Sequence, residues 1–132
     1  MSLFVDASAL VAIIRGEPDA PLLEAALDTA GPRLTSGLAL WETARALGRD
    51  SDKGSEAGLF EVERYCAALN ITLIQIGAAE ATEAIRAHAR YGKGTGHPAQ
   101  LNMGDCFAYA CAKTNNARLL YKGDYFIHTD LA

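Results

Sequence analysis

The stretch Leu3-Phe4-Val5-Asp6-Ala7-Ser8 constrains this chain most: three apolar residues run straight into a carboxylate and then into a helix-forming segment. A short, continuously apolar strand is expected at the centre of a parallel sheet, where both faces are covered. Ala7 to Ile14 contains neither Gly nor Pro, so the strand passes tightly into a helix and leaves Asp6 at the strand's carboxyl end. In open α/β sheets the ligand crevice lies outside those ends. A residue in that place can equally be an N-cap accepting a helix N–H, and this segment alone leaves both uses open.

The remainder alternates in the same way. Pro18 or Pro21 opens a second helix through Leu22, Leu23, Ala26 and Leu27, which Gly31-Pro32 ends. Arg33 to Ser36 reads as a second strand, and Ser36 or Gly37 introduces a helix from Leu38 to Arg49 that carries Glu42, Arg45 and Arg49 away from its apolar face. A polar loop is expected over Asp50 to Ser55, a helix from Glu56 to Asn70, a strand from Ile71 to Ile76 and an alanine-rich helix from Ala78 to Tyr91.

Gly92 to Pro98 is glycine-rich but lacks the order of a nucleotide P-loop and follows a helix, so it reads as a connection. Asn102-Met103-Gly104-Asp105 then introduces a nearly all-apolar helix, Cys106 to Ala112, and Ala117 to Tyr121 forms the last strand, ending at Lys122-Gly123-Asp124. Strands alternating with helices predict an α/β fold with a mostly parallel sheet flanked by helices. At 132 residues, with no linker or repeat, a single domain spanning 1–132 is expected.

The net charge of -4 argues against an affinity for nucleic acid built on overall phosphate neutralisation; such a role would need a local basic patch or metal ions. Three cysteines, Cys66, Cys106 and Cys111, include no C-x-x-C pair, which fits neither a disulfide framework nor a zinc ribbon and points to a reduced, cytoplasmic setting. The apolar start carries Asp6 and no preceding basic residue, so neither an export signal nor a membrane anchor is expected. His88, His97 and His128 are scattered without ligand spacing.

Four acids stand where this alternation would bring them together: Asp6 after the first strand, Glu42 on the helix after the second, Asp105 at the start of a buried helix and Asp124 after the last strand. Gathered carboxylates repel one another unless a cation neutralises them, and oxygen-only ligand sets suit Mg²⁺ or Mn²⁺. The corresponding chemistry is metal-assisted hydrolysis of a phosphodiester. Each acid also has an ordinary structural use: Asp105 completes a capping box with Asn102, Glu42 can pair with Arg45 or Arg49, and Asp124 suits a turn. Ser8 and Asn102 are small polar groups suited to hydrogen-bonding the metal-binding carboxylates, or to capping. Arg86, Arg90 and Lys93 could form a basic edge for RNA phosphates, or a solvated helix face.

Phe4 to Leu10, Glu42, Leu101-Asn102-Met103-Gly104-Asp105-Cys106-Phe107-Ala108-Tyr109-Ala110, and Lys122-Gly123-Asp124-Tyr125-Phe126 followed by His128-Thr129-Asp130 resemble the PIN-domain ribonucleases, in particular VapC-type toxins of toxin-antitoxin pairs. The resemblance covers essentially the whole chain. It implies a three-layer PIN-like fold and a Mg²⁺- or Mn²⁺-dependent endoribonuclease that forms a homodimer and is inhibited by a VapB-type antitoxin. By position, Asp6, Glu42 and Asp105 match the family's metal-binding acids. Similar toxins often carry a fourth acid immediately before the Phe, where this chain has Tyr125; either Asp124 takes that role or it is lost. The resemblance leaves two competitors: a PIN-fold module that binds RNA or protein without cutting, and a phosphatase-like hydrolase with Asp6 as nucleophile. The latter is weakened by Ser8, which stands where haloacid dehalogenase-like enzymes carry a second Asp.

Overall fold

The computed structural model describes residues 1–132. Four strands, β1 (Leu3–Val5), β2 (Arg33–Ser36), β3 (Ile71–Ile74) and β4 (Arg118–Leu120), form one sheet in the order β3-β2-β1-β4. Every pairing is parallel: Leu3 sits opposite Arg33 on one side and Arg118 on the other, and Arg33 opposite Ile71. Parallel neighbours need crossovers, supplied by α1 (Ala7–Arg15), α2 (Ala20–Thr29), α3 (Gly37–Arg49), α4 (Gly54–Ala68), α5 (Ala78–Tyr91) and α6 (Met103–Thr114).

Alternation along β1 divides the interior in two. Phe4 points into a core made with α5 and α6, alongside Ala84, Tyr91, Leu101, Tyr109, Leu119 and Phe126. Leu3 and Val5 point the other way, into a core with Leu10, Ile13, Leu27, Leu40, Val62 and Ile71. The sheet is therefore covered on both faces and the fold has three layers, as expected. β1 is 0–3% exposed at all three residues, which explains why its sequence is continuously apolar rather than alternating.

The expected elements are present, with shifted edges. The third strand stops at Ile74, two residues short of the expected Ile76, because Gln75 and Ile76 lie beyond the last paired residue, Ser36, of β2. The expected polar loop after α3 is shorter than Asp50 to Ser55, since α4 begins at Gly54, whose φ of +80° favours glycine at the turn into the helix. A short 3₁₀ turn, Phe126–His128, follows the last strand and was not expected from the sequence. It buries Phe126 against Tyr121, ring centroids 5.2 Å apart.

The glycine-rich connection is tied at both ends. Leu101 N–H donates to the Tyr91 carbonyl at 3.0 Å and Lys93 N–H to the Leu101 carbonyl at 2.9 Å. His97 packs edge-on to Tyr91, and its Nδ1 accepts the Ala99 N–H at 3.1 Å. The chain's end is held by Asp130, whose carboxylate accepts from the hydroxyls of Tyr109 (2.6 Å) and Tyr91 (3.3 Å) and from the Lys113 ammonium (2.5 Å). All three cysteines are buried and unpaired, and burial pushes each thiol up to about 11, so they act as small apolar residues. No helix is long and apolar enough to cross a membrane.

Candidate metal centre

β1 is where the chain order of the sheet reverses: β2 and β3 are added on one side and β4 on the other. The carboxyl end of that strand is the switch point at which open α/β sheets bind ligands. Asp6 occupies it and is 5% exposed. Its Oδ2 accepts the Ser8 N–H at 3.0 Å and the Ser8 hydroxyl at 2.6 Å, so it caps α1 with a carboxylate buried at the end of β1. Of the two uses that the sequence left open, the cap is the one observed. The Ser8 hydroxyl in turn accepts the Lys122 N–H at 3.0 Å, and Asp6 N–H donates to Leu120 at 3.0 Å, which ties the acid to the end of β4. On the β2 side, the buried Thr35 hydroxyl donates to the Val5 carbonyl at 2.9 Å.

Ser36 caps α3, accepting the Ala39 N–H at 3.1 Å, and Glu42 follows in the second turn. It does not pair with Arg45, whose guanidinium lies over the Trp41 ring. Its carboxylate lies instead against Gly104 at the start of α6, occupying space that a β-carbon on residue 104 would need. Gly104 is a residue whose role the sequence did not reveal. Its only signal was a glycine inside a helix start, where nothing about φ requires one.

Asn102 caps α6. Its side-chain oxygen accepts the Asp105 N–H at 2.9 Å, and Asp105 Oδ2 accepts the Asn102 N–H at 3.1 Å, the capping box expected from the sequence. This also fixes where the Asp105 carboxylate stands. Asp6 at the N-cap of α1 and Asp105 in the first turn of α6 thus lie at helix N-termini, where the helix dipole favours negative charge.

The electrostatics join three of the four acids. Burial, followed by the charges of Asp6 and Asp105, pushes Glu42 up to about 7. Burial pushes Asp105 up to about 6, against the pull of the Asn102 N–H and with the charge of Asp6 adding to it. Burial raises Asp6 as well, although the Ser8 bonds oppose the shift. Asp124 is exposed in the loop after β4, and the charges acting on Glu42 are those of Asp6 and Asp105. The structure therefore brings Asp6, Glu42 and Asp105 together and leaves Asp124 on the rim.

Three crowded, partly buried carboxylates are an oxygen-only donor set with an uncompensated charge, which fits a hard divalent cation. No group of three or more His, Cys, Asp or Glu side chains stands close enough together to hold a metal ion between them. An ion that keeps several of its waters does not need one; Mg²⁺ is commonly held by one or two carboxylates.

The basic residues singled out by sequence are divided. Arg86 is exposed and paired with Glu83 at 2.9 Å, and Arg90 lies over the Tyr91 ring at 4.8 Å, in a hollow with Glu83, Lys113 and Asp130. Lys93 lines a different pocket, with Asn102 and Met103 at the start of α6. The three do not form one continuous edge.

Comparison with known proteins agrees with this architecture. The chain matches the PIN domain family over residues 3–131. It is 41% identical over 130 residues to a protein named ribonuclease VapC from Mycolicibacterium smegmatis, spanning 98% of both chains. It is 40% identical over 139 residues to a VapC ribonuclease of Rhizobium meliloti, and 39% identical over 130 residues to ribonuclease VapC30 of Mycobacterium tuberculosis. Among solved structures it superposes on the Mycobacterium tuberculosis toxin VapC20, which cleaves the sarcin-ricin loop, with a TM-score of 0.71 and 16% identity over 95% of this chain and 93% of that one. That last likeness concerns the fold alone.

Proposed function

The chain belongs to the PIN domain family, and from that premise we propose that it is a divalent-metal-dependent endoribonuclease, the toxin of a toxin-antitoxin pair. The observation that carries this reading is the meeting of Asp6, Glu42 and Asp105, from three separate elements, at the switch point of the sheet, with each carboxyl raised by burial and the latter two also by neighbouring carboxylates. The nearly full-length identity to proteins named VapC ribonucleases supports it.

Asp6, Glu42 and Asp105 would hold Mg²⁺ or Mn²⁺, with Asp124 approaching from the rim. When bound, such an ion supplies Lewis-acid stabilisation of phosphate charge and an acidified water at neutral pH. The protein's own contribution is placement. Ser8 fixes the Asp6 carboxylate and links it to the β4 end, Asn102 fixes Asp105, and Gly104 leaves room for Glu42. Hydrolysis there would join a water oxygen to phosphorus and break the P–O bond to the departing ribose oxygen, the water's proton passing to solvent and the leaving oxygen taking one up. The family reading also carries a cytoplasmic setting, a homodimer and a VapB-type antitoxin as inhibitor. Entry of an antitoxin cation such as Arg into the acidic crevice would neutralise it without supporting hydrolysis.

The test is cleavage of a mixed tRNA and rRNA pool by purified, antitoxin-free protein with Mg²⁺ or Mn²⁺, with EDTA and Asp105→Asn in parallel. Discrete cuts lost in both controls are expected. Cuts that persist in Asp105→Asn would overturn the site, and RNA binding without cuts in either metal would assign the chain to a binding module.

A further inference from the structure

Beside the acids, between α5 and α6, lies an open pocket of about 420 Å³. Ala84, Ile85, Leu101, Cys106 and Phe107 supply apolar wall, and Lys93, His88 and Asn102 stand among them as the polar groups. Such a mixture of apolar surface and a few polar groups is the usual make-up of a small-ligand pocket. Asn102 belongs to both places: it lines the pocket, and its side chain and N–H hold Asp105 at 2.9 and 3.1 Å. An occupant is therefore one residue away from the acid centre. Lys93 forms none of the chain's ion pairs, so its ammonium is available in a chain of net charge -4. The mouth carries Ile85 and Met103, 64% and 66% exposed, apolar surface that a flat, partly apolar ligand would cover.

We propose that this pocket seats one unpaired nucleobase of the RNA, next to the phosphodiester placed at Asp6, Glu42 and Asp105, and thereby sets the sequence preference of cleavage. A base combines an apolar face with polar edges, matching Phe107 and Ile85 on one hand and Asn102 and His88 on the other, while Lys93 meets the adjoining phosphate. Sequence-specific RNA recognition works on unstacked bases in this manner. The inference rests on the ribonuclease reading for the word cleavage but not for the binding itself.

The experiment places 2-aminopurine, one position at a time, along a single-stranded oligoribonucleotide. Binding is followed by fluorescence with Glu42→Gln protein, which keeps the pocket but does not cut. One position is expected to change its emission on binding. Ile85→Trp, a substitution at an exposed mouth position that fills the pocket, is expected to abolish that change and to weaken binding about 10–100-fold, the range for loss of one base contact; Lys93→Ala is expected to weaken binding without abolishing the change. Circular dichroism and thermal melts confirm that both variants fold. Cleavage mapped in the Glu42-containing protein forms a separate arm: a specific base signal without cuts would sink the nuclease reading and leave the pocket assigned. An emission change that survives Ile85→Trp in folded protein would overturn the pocket. Conversion of a dimer to a monomer by Ile85→Trp, with loss of all RNA binding, would overturn it in favour of an interface between copies of this chain.

Discussion

The carboxylate of Glu42, on α3, rests against Gly104 at the first turn of α6, in the space that any larger residue at 104 would occupy. The obstructing atoms are the end of a flexible side chain, so Gly104→Ala need not disturb the backbone. It moves the acid instead. Alanine is also the better helix former, by up to about 1 kcal/mol. Stability and activity should therefore separate: an unchanged or higher Tm, with RNA cleavage down about 10–100-fold, the range seen when a group supporting a metal site is lost. Parallel melts and cleavage rates check this, and a variant equally active to wild type would show that Glu42 does not need its present position.

Ser8→Ala removes the hydroxyl that donates to Asp6 at 2.6 Å and accepts from Lys122 at 3.0 Å. A single hydrogen-bonding group of this kind is worth about 1 kcal/mol in stability, while cleavage should fall about 10–100-fold through misplacement of the carboxylate. Ser8→Thr retains the hydroxyl and should recover most of the activity. If Ser8 were only a capping-turn residue, melting temperature and cleavage would fall together and binding of Mn²⁺ would not change.

The metal-free protein should lose stability as pH rises. Glu42 stands at about 7 in the fold against an ordinary 4.5, and Asp105 at about 6 against 3.8, so between those limits the folded state binds more protons than the unfolded one. Stability is then greatest below the unfolded values and declines as pH climbs through the folded ones. Since water reaches part of both carboxyls, a loss of about 1–2 kcal/mol between pH 5 and pH 8 is reasonable. Chemical denaturation in EDTA measures it. Glu42→Gln should flatten the dependence, and Mg²⁺ should reduce it; a metal-free protein equally stable at both pH values would contradict the crowding of these acids.

Asp105→Asn and Asp124→Asn should differ sharply. The first replaces one of three mutually raised carboxylates, and its remaining oxygen can still accept the Asn102 N–H, so the protein should fold at least as stably while cleavage drops below detection. The second lies on the exposed rim and should cost less than about 10-fold, in line with an outer-sphere contribution. Equal losses would place Asp124 inside the centre.

Much of this was legible in the chain itself because it rests on local rules. The apolar run Leu3–Val5, the caps at Asp6, Ser36 and Asn102, and the alternation of strand and helix patterns define elements whose boundaries depend on neighbouring residues. The acids at the ends of those elements could be named for the same reason: parallel topology sends successive strand ends to one edge. What the tertiary structure decided depends on residues far apart in sequence. Gly104 gains its role only because α3 brings Glu42 beside it. Lys93 separates from Arg90 because it lies by the start of α6, with Met103 and Cys106, whereas Arg90 lies by the later α6 residues Tyr109 and Lys113 and by Asp130. Asp124 stays outside because the turn after β4, with Gly123 at φ +106°, leaves it exposed. Local hydrogen bonding and periodicity are written residue by residue, whereas proximity across layers is a property of packing, and charge-to-charge distances follow from packing alone.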